Sequence, residues 1–386
     1  MRIGLRVRYM ELKYIRIGLM TMASLSCWAQ VEVVATGLQG PQKLTLTPRG
    51  NFLVSETSTQ VNQGRISFVS RSGMRRSLVE GLPSGVEVVG GGSGPSALVL
   101  KDRSLYVSIG GGDTERRNAT GASIHNPAGI SSPIFVTVLE FRLSADIDQI
   151  SGTFRMSPAQ QVTLGDGDSV ELEDGLGVRA TVRVLTRFPH TVPEGTGYRF
   201  SNPWGLALSD DGMVLWTIDA SQNTLNRIDM ATGIWRRVMR FPAIANPTPI
   251  GPPMIDSVPT GIRVYGNQLL VSFLSGFPFP AGEARVMAVN PEAKTMEPFI
   301  LGITSATDVL WRSRGAGQRP QFFALEFSTN QSATPAAPGR LLRFDTTEQR
   351  VVANDLRAPV SMAFDAATEE LFILELSGRI LKVSAR

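Results

Sequence analysis

The chain has 386 residues, 42% of them hydrophobic and 19% charged, with one cysteine and two histidines. That balance describes a globular protein with a sizeable core and excludes a disordered or collagen-like chain. It also excludes a His-Glu-x-x-His zinc site and a disulfide framework, and two distant histidines argue against a His-rich metal centre.

Residues 1–29 read as an export signal. Arg2, Arg6, Arg8, Lys13 and Arg16 make a basic start, and residues 17–25 form an apolar stretch too short to span a bilayer. Ser26-Cys27-Trp28-Ala29, followed by Gln30, resembles a small-residue cleavage site. A retained anchor is the alternative, and Met10 would serve as well as Met1 for a start. Removing five basic residues and one acidic residue leaves 33 of each sign, so no general basic field draws nucleic acid. Cys27 leaves with the leader, and stability must then come from packing. The expected product is a secreted or periplasmic monomer, not stably inserted in a membrane after cleavage.

Residues 31–38 read as a strand, and behind them one pattern recurs six times. First strands fall at 43–46, 97–100, 205–208, 261–264, 308–311 and 361–364. Each follows a Pro- or Gly-containing turn. A second apolar strand follows, ending in a polar loop, then a third that begins at or near Gly-Arg, then an amphipathic fourth. The copies lie mostly 45 to 56 residues apart, except the second, which runs from Pro95 to Pro203 and carries insertions at about 110–135 and 147–182. Short strands with turns at fixed offsets predict an all-β, six-bladed β-propeller of four-stranded blades, one domain over residues 30–386. The sixth copy stops without a fourth strand. Residues 31–38 supply it, which closes the ring and removes an exposed sheet edge.

Ser201-Asn202-Pro203-Trp204-Gly205, Asp256-Ser257-Val258-Pro259-Thr260-Gly261 and Gly276-Phe277-Pro278-Phe279-Pro280 resemble the ScyD/ScyE family. Ala284-Arg285-Val286 and Pro338-Gly339-Arg340-Leu341 fit the same pattern. The resemblance covers nearly all of the chain after the leader. It implies an exported propeller, related in architecture to NHL and gluconolactonase-like propellers, without an established reaction. Segment 147–182, rich in Gly and acid, departs from the family. Its Asp166–Gly175 stretch misses EF-hand spacing and reads as a solvated hairpin tip.

No strong catalytic motif is present, and His125 and His190 read as loop histidines. Glu56, Asp219, Glu326 and Glu375 follow the second strands of blades one, three, five and six, at equivalent heights around the axis. They could ring the channel as Ca²⁺ ligands or as an acid/base group, with Asp256 and Asp308 adding to the ring. They could equally cap turns or pair with arginines. Asn202, Trp204, Asp256, Phe277 and Phe279 suggest an aromatic-lined ligand site at the channel mouth. Two functions follow. One is binding of a small molecule, glycan or protein partner at that mouth. The alternative is a Ca²⁺-dependent lactonase or esterase-like hydrolase, which needs three or more of the carboxylates to converge.

Overall fold

The computed structural model describes residues 31–195, 197–315, 317–345 and 349–384. The expected export signal at 1–29 lies outside them. Six mainly antiparallel sheets follow one another along the chain, and their first strands touch in a closed ring. Those strands are Pro41–Leu46, Pro95–Lys101, Pro203–Leu208, Pro259–Tyr265, Ala306–Arg312 and Pro359–Asp365. This is the predicted six-bladed propeller.

Blades pack through their apolar faces. Leu310, Phe323 and Leu325 of blade five meet Met362, Leu371 and Ile373 of blade six in one buried cluster. Burial of each such side chain contributes about 1.5–3 kcal/mol. Strand residues alternate faces, so both faces of each inner strand must be apolar, which explains the continuous runs seen in the sequence.

The last sheet has the order Val31–Ala35, Arg379–Ser384, Glu370–Glu375, Pro359–Asp365. Val31 sits opposite Val383 and Val33 opposite Leu381, antiparallel. The N-terminal strand therefore closes the ring. Two glycines admit the closing segment. Gly378 (φ +89°) and Gly73 (φ +86°) lie so close to it that a Cβ would fall 2.3 Å from the Leu38 carbonyl oxygen and 2.2 Å from that of Val34. Arg71 of blade one clamps the same seam, with its guanidinium 4.6 Å above the Phe372 ring and an ion pair to Asp365.

Blades one and two differ from the predicted four strands. Phe154–Arg155 pairs in parallel with Arg75–Leu82 as a fifth strand of blade one, and Val170–Glu173 is a fifth strand of blade two. Between them lies a helix, Pro158–Gly165, started by a capping box of Ser157 and Gln160. The expected solvated hairpin tip is thus only partly present. The turn joins Val170–Glu173 to Arg179–Arg187, but the Asp174 side chain is buried and accepts N–H bonds from Gly152, Leu176 and Val178. The insertion straps blade one to blade two. Among the described residues no helix is long and apolar enough to cross a membrane.

One irregularity recurs in all six blades. The residue opening each first strand pairs with the last residue of the second: Pro41 with Glu56, Pro95 with Ile109, Pro203 with Asp219, Pro259 with Phe273, Ala306 with Glu326, Pro359 with Glu375. The ladder then skips one residue. The six skipped residues are Gln42, Ser96, Trp204, Thr260, Thr307 and Val360. Such a bulge turns a side chain away from the regular pleat. Three of them latch neighbouring blades: Ser96 Oγ donates to Pro203 O at 2.8 Å, Thr260 Oγ1 to Ala306 O at 2.8 Å, and Thr307 Oγ1 to Pro359 O at 3.0 Å.

Candidate functional site in the channel

The four acids predicted to share a height do share a register, at the ends of their second strands. Each is committed to its own blade. Each takes the backbone N–H of the residue leading into the first strand: Gln39 for Glu56, Asn202 for Asp219 at 3.0 Å, Thr304 for Glu326 at 2.7 Å, Arg357 for Glu375 at 2.7 Å. Three also hold an arginine. Glu56 faces Arg75 at 3.4 Å, Glu326 binds Arg340, and Glu375 meets Arg379 at 2.5 Å. Asp219 has no arginine among the described residues and instead accepts from Ser221 and Gln222 as well. Burial pushes its carboxyl up to about 6 against the pull of those N–H donors. Among the described residues no three acidic, histidine or cysteine side chains group so as to hold a metal ion. The carboxylates cap turns and anchor arginines, because a buried charge must be fully hydrogen-bonded where it lies.

At the end where the first strands begin, the bulged residues open into a mouth. Gln42, Trp204, Thr260, Thr307 and Val360 line a cavity of about 460 Å³, with Leu274, Phe327 and Leu376 completing an apolar wall. Glu87 and Val89, on the turn between Gly85–Val86 and Gly92–Ser93, reach its edge. The Glu87 carboxylate has no ion pair or side-chain hydrogen bond among the described residues. Burial, and then Glu115, push its pKa up. Trp204 is the one expected ligand residue in this wall.

The others lie outside it. Asn202 is held in the blade two–three junction, where Oδ1 accepts the Gly111 N–H at 3.1 Å. Asp256 is paired with Arg199 at 3.0 Å and accepts from Asn223 at 3.0 Å. Phe277 and Phe279 stack edge-to-face with centroids 6.2 Å apart. Their loop lies against Gly251 and accepts the Ser332 hydroxyl at Pro278 O, and Phe277, 58% exposed, does not line the cavity. This segment follows Gln268–Phe273, the second strand of blade four, so it lies past the bulge positions of the first strands. His125 packs on Tyr198 and Phe200, each 5.1 Å away, on the hairpin strand Ser123–His125.

Below the mouth the channel is crossed by charge. Lys43 of blade one extends to the opposite blade and donates to Thr260 O at 2.9 Å. Its side chain is 9% exposed, and burial lowers its pKa to about 8. Arg263 Nη2 meets Asp308 Oδ2 at 2.7 Å and also donates to Met362 O, while Nε donates to Val309 O. Asp308 further accepts the Met362 N–H at 2.9 Å. Asp308, expected as a possible ring ligand, thus belongs to a cation-rich layer. Lys43 and Arg263 carried a signal in the sequence, since each is a cation at an inner position of a first strand.

No family model matches the chain, and no curated protein matches it in sequence. Solved structures do match. One is a structural genomics protein of unknown function from Bacteroides thetaiotaomicron, at 10% identity and TM-score 0.52, over 92% of this chain and 76% of that one. Another is an auxiliary nutrient binding protein from the same organism, at 10% identity and TM-score 0.50, over 92% and 76%. A gluconolactonase from Xanthomonas campestris matches at 11% identity and TM-score 0.46, over 94% and 93%. At these identities the likeness is one of fold, and propellers of one fold host many chemistries.

Proposed function

We propose that the chain is an exported binding propeller of the ScyD/ScyE type, which takes a small, mainly apolar molecule into the channel mouth. The observation that supports this most is the cavity of about 460 Å³ walled by Trp204, Val360, Leu274 and Phe327, with the unpaired Glu87 at its edge. That volume suits a small ligand, and the lining combines an aromatic face with a few convergent polar groups. Trp204 offers stacking. Glu87, Gln42 and Gln331 offer acceptors to a ligand hydroxyl or amine.

The hydrolytic alternative needs convergent carboxylates. Each of Glu56, Asp219, Glu326 and Glu375 is instead saturated within its own blade, and no observation favours that reading over binding. Export rests on the basic and apolar character of residues 1–29, and the family assignment on the motifs around Trp204, Asp256 and Phe277. Two experiments test the proposal. Saturation-transfer NMR against a library of aromatic alcohols, amines and short glycans should give hits that Trp204→Ala and Glu87→Gln abolish. Hits indifferent to both substitutions would refute a mouth site. Signal-sequence processing is read by the N-terminal mass of the protein recovered from a bacterial periplasm, which should begin near Gln30.

A further inference from the structure

The channel holds a second cavity, of about 440 Å³, on the far side of the Lys43 layer. Its inner end is formed by Lys43, Arg263, Asp308 and Ser361, its walls by Leu98, Leu206 and Ile262 among others, and its outer rim carries Lys101 and Asp210. Inside, two cations face one carboxylate. Asp308 is matched to Arg263 and saturated by the Met362 and Val309 N–H groups and the Ser361 hydroxyl. Lys43 has no carboxylate partner among the described residues, and its ammonium meets only a backbone carbonyl. Two of its three N–H donors are left over. Arg263 keeps Nη1 without a hydrogen bond among the described residues, on a side chain that is 32% exposed. At the rim, Lys101 interacts electrostatically with Asp211, next to Asp210.

We infer that this cavity is a binding site for a small monocarboxylate, held between Lys43 and Arg263 with its carbon body against Leu98, Leu206 and Ile262. The charge count selects a monoanion, because one positive charge remains once Asp308 is matched. Arg263 Nη1 and the Lys43 ammonium can each donate a charge-assisted bond to a carboxylate oxygen. The small residues at the level of Lys43 make room for it. Ala97, Gly205, Gly261 and Ser361 stand there in blades two, three, four and six.

The site is separate from the mouth and its test is separable too. Acetate, pyruvate and butyrate, with phosphate for comparison, are titrated calorimetrically into the full-length protein. One carboxylate should bind per chain. Binding should weaken by about tenfold or more in Lys43→Met, as expected for loss of a charge-assisted bond. It should also weaken in Ala207→Phe, which fills the cavity wall without touching a charge. Trp204→Ala should leave it unchanged. Absence of carboxylate binding to the wild-type protein overturns the inference. So does binding undiminished in both Lys43→Met and Ala207→Phe, or tighter binding of phosphate than of any carboxylate. None of these outcomes bears on ligands of the mouth.

Discussion

The Lys43 ammonium donates to the Thr260 carbonyl oxygen at 2.9 Å, joining blade one to blade four straight across the channel. This one side chain splits the channel into a largely apolar mouth and a cation-rich lower cavity.

The crossing carries an energetic penalty that can be measured. Burial lowers the Lys43 pKa from 10.5 to about 8. Below pH 8 the ammonium is charged in both folded and unfolded chains, and the desolvation penalty, roughly 3 kcal/mol, is fully present. Between pH 8 and 10.5 the unfolded chain still holds the proton and the folded one releases it, so stability climbs with pH. Above 10.5 the contribution vanishes. Lys43→Met is therefore expected to be more stable than wild type at pH 7 by about 1–3 kcal/mol, and to lack this rise. Urea midpoints from pH 7 to 10.5 check it.

Asp219 has the opposite sign. Its carboxyl is raised from 3.8 to about 6. Below 3.8 it is protonated in both states and costs nothing. From 3.8 to 6 the folded chain keeps a proton that the unfolded chain loses, so stability falls as pH rises. Asp219→Asn should flatten that segment of a stability–pH profile measured by urea unfolding.

The capping role of the other acids predicts insensitivity to metal. Glu326→Gln leaves Arg340 without its carboxylate, with an expected loss of about 3 kcal/mol. Adding calcium or a chelator should leave the wild-type melting temperature unchanged. A calcium-dependent rise that Glu326→Gln abolishes would return these acids to a ligand role.

Ring closure is tested at Gly378. A Cβ there would fall 2.3 Å from the Leu38 carbonyl at φ +89°, whereas Gly266, at φ +59°, has open space around it. Gly266→Ala is expected to cost about 1 kcal/mol from backbone conformation alone. Gly378→Ala should cost at least about twice that, because the closing segment must also shift. Urea unfolding of the two variants separates the effects.

Much of this architecture was legible from residues. The apolar first strands, the missing sixth outer strand and the supply of that strand by residues 31–38 follow from continuous apolar runs, turns at fixed offsets and the need to leave no edge. The shared height of Glu56, Asp219, Glu326 and Glu375 was legible too, and so was turn capping or arginine pairing as one of two uses; the choice between the two rests on backbone N–H groups positioned only by the fold. The Ser157–Gln160 capping box stood in the sequence ahead of a helix that the acidic glycines nearby obscured. At the mouth, the decisive position is the residue after the opening Pro or Ala of each blade, and only the repeated bulge turns it toward the axis. Trp204 occupies that position, and Phe277 and Phe279 do not. The reach of Lys43 across to Thr260 is a relation between opposite blades that no local pattern carries.

A small ligand bound in the mouth would lie against Trp204. The most direct measurement is the calorimetric dissociation constant of a ligand identified by NMR screening, for wild type, Trp204→Ala and Phe277→Ala. Trp204→Ala is expected to weaken binding by about tenfold or more and Phe277→Ala to leave it unchanged, since Phe277 does not line the cavity. Equal affinity in wild type and Trp204→Ala, or a loss confined to Phe277→Ala, would contradict it.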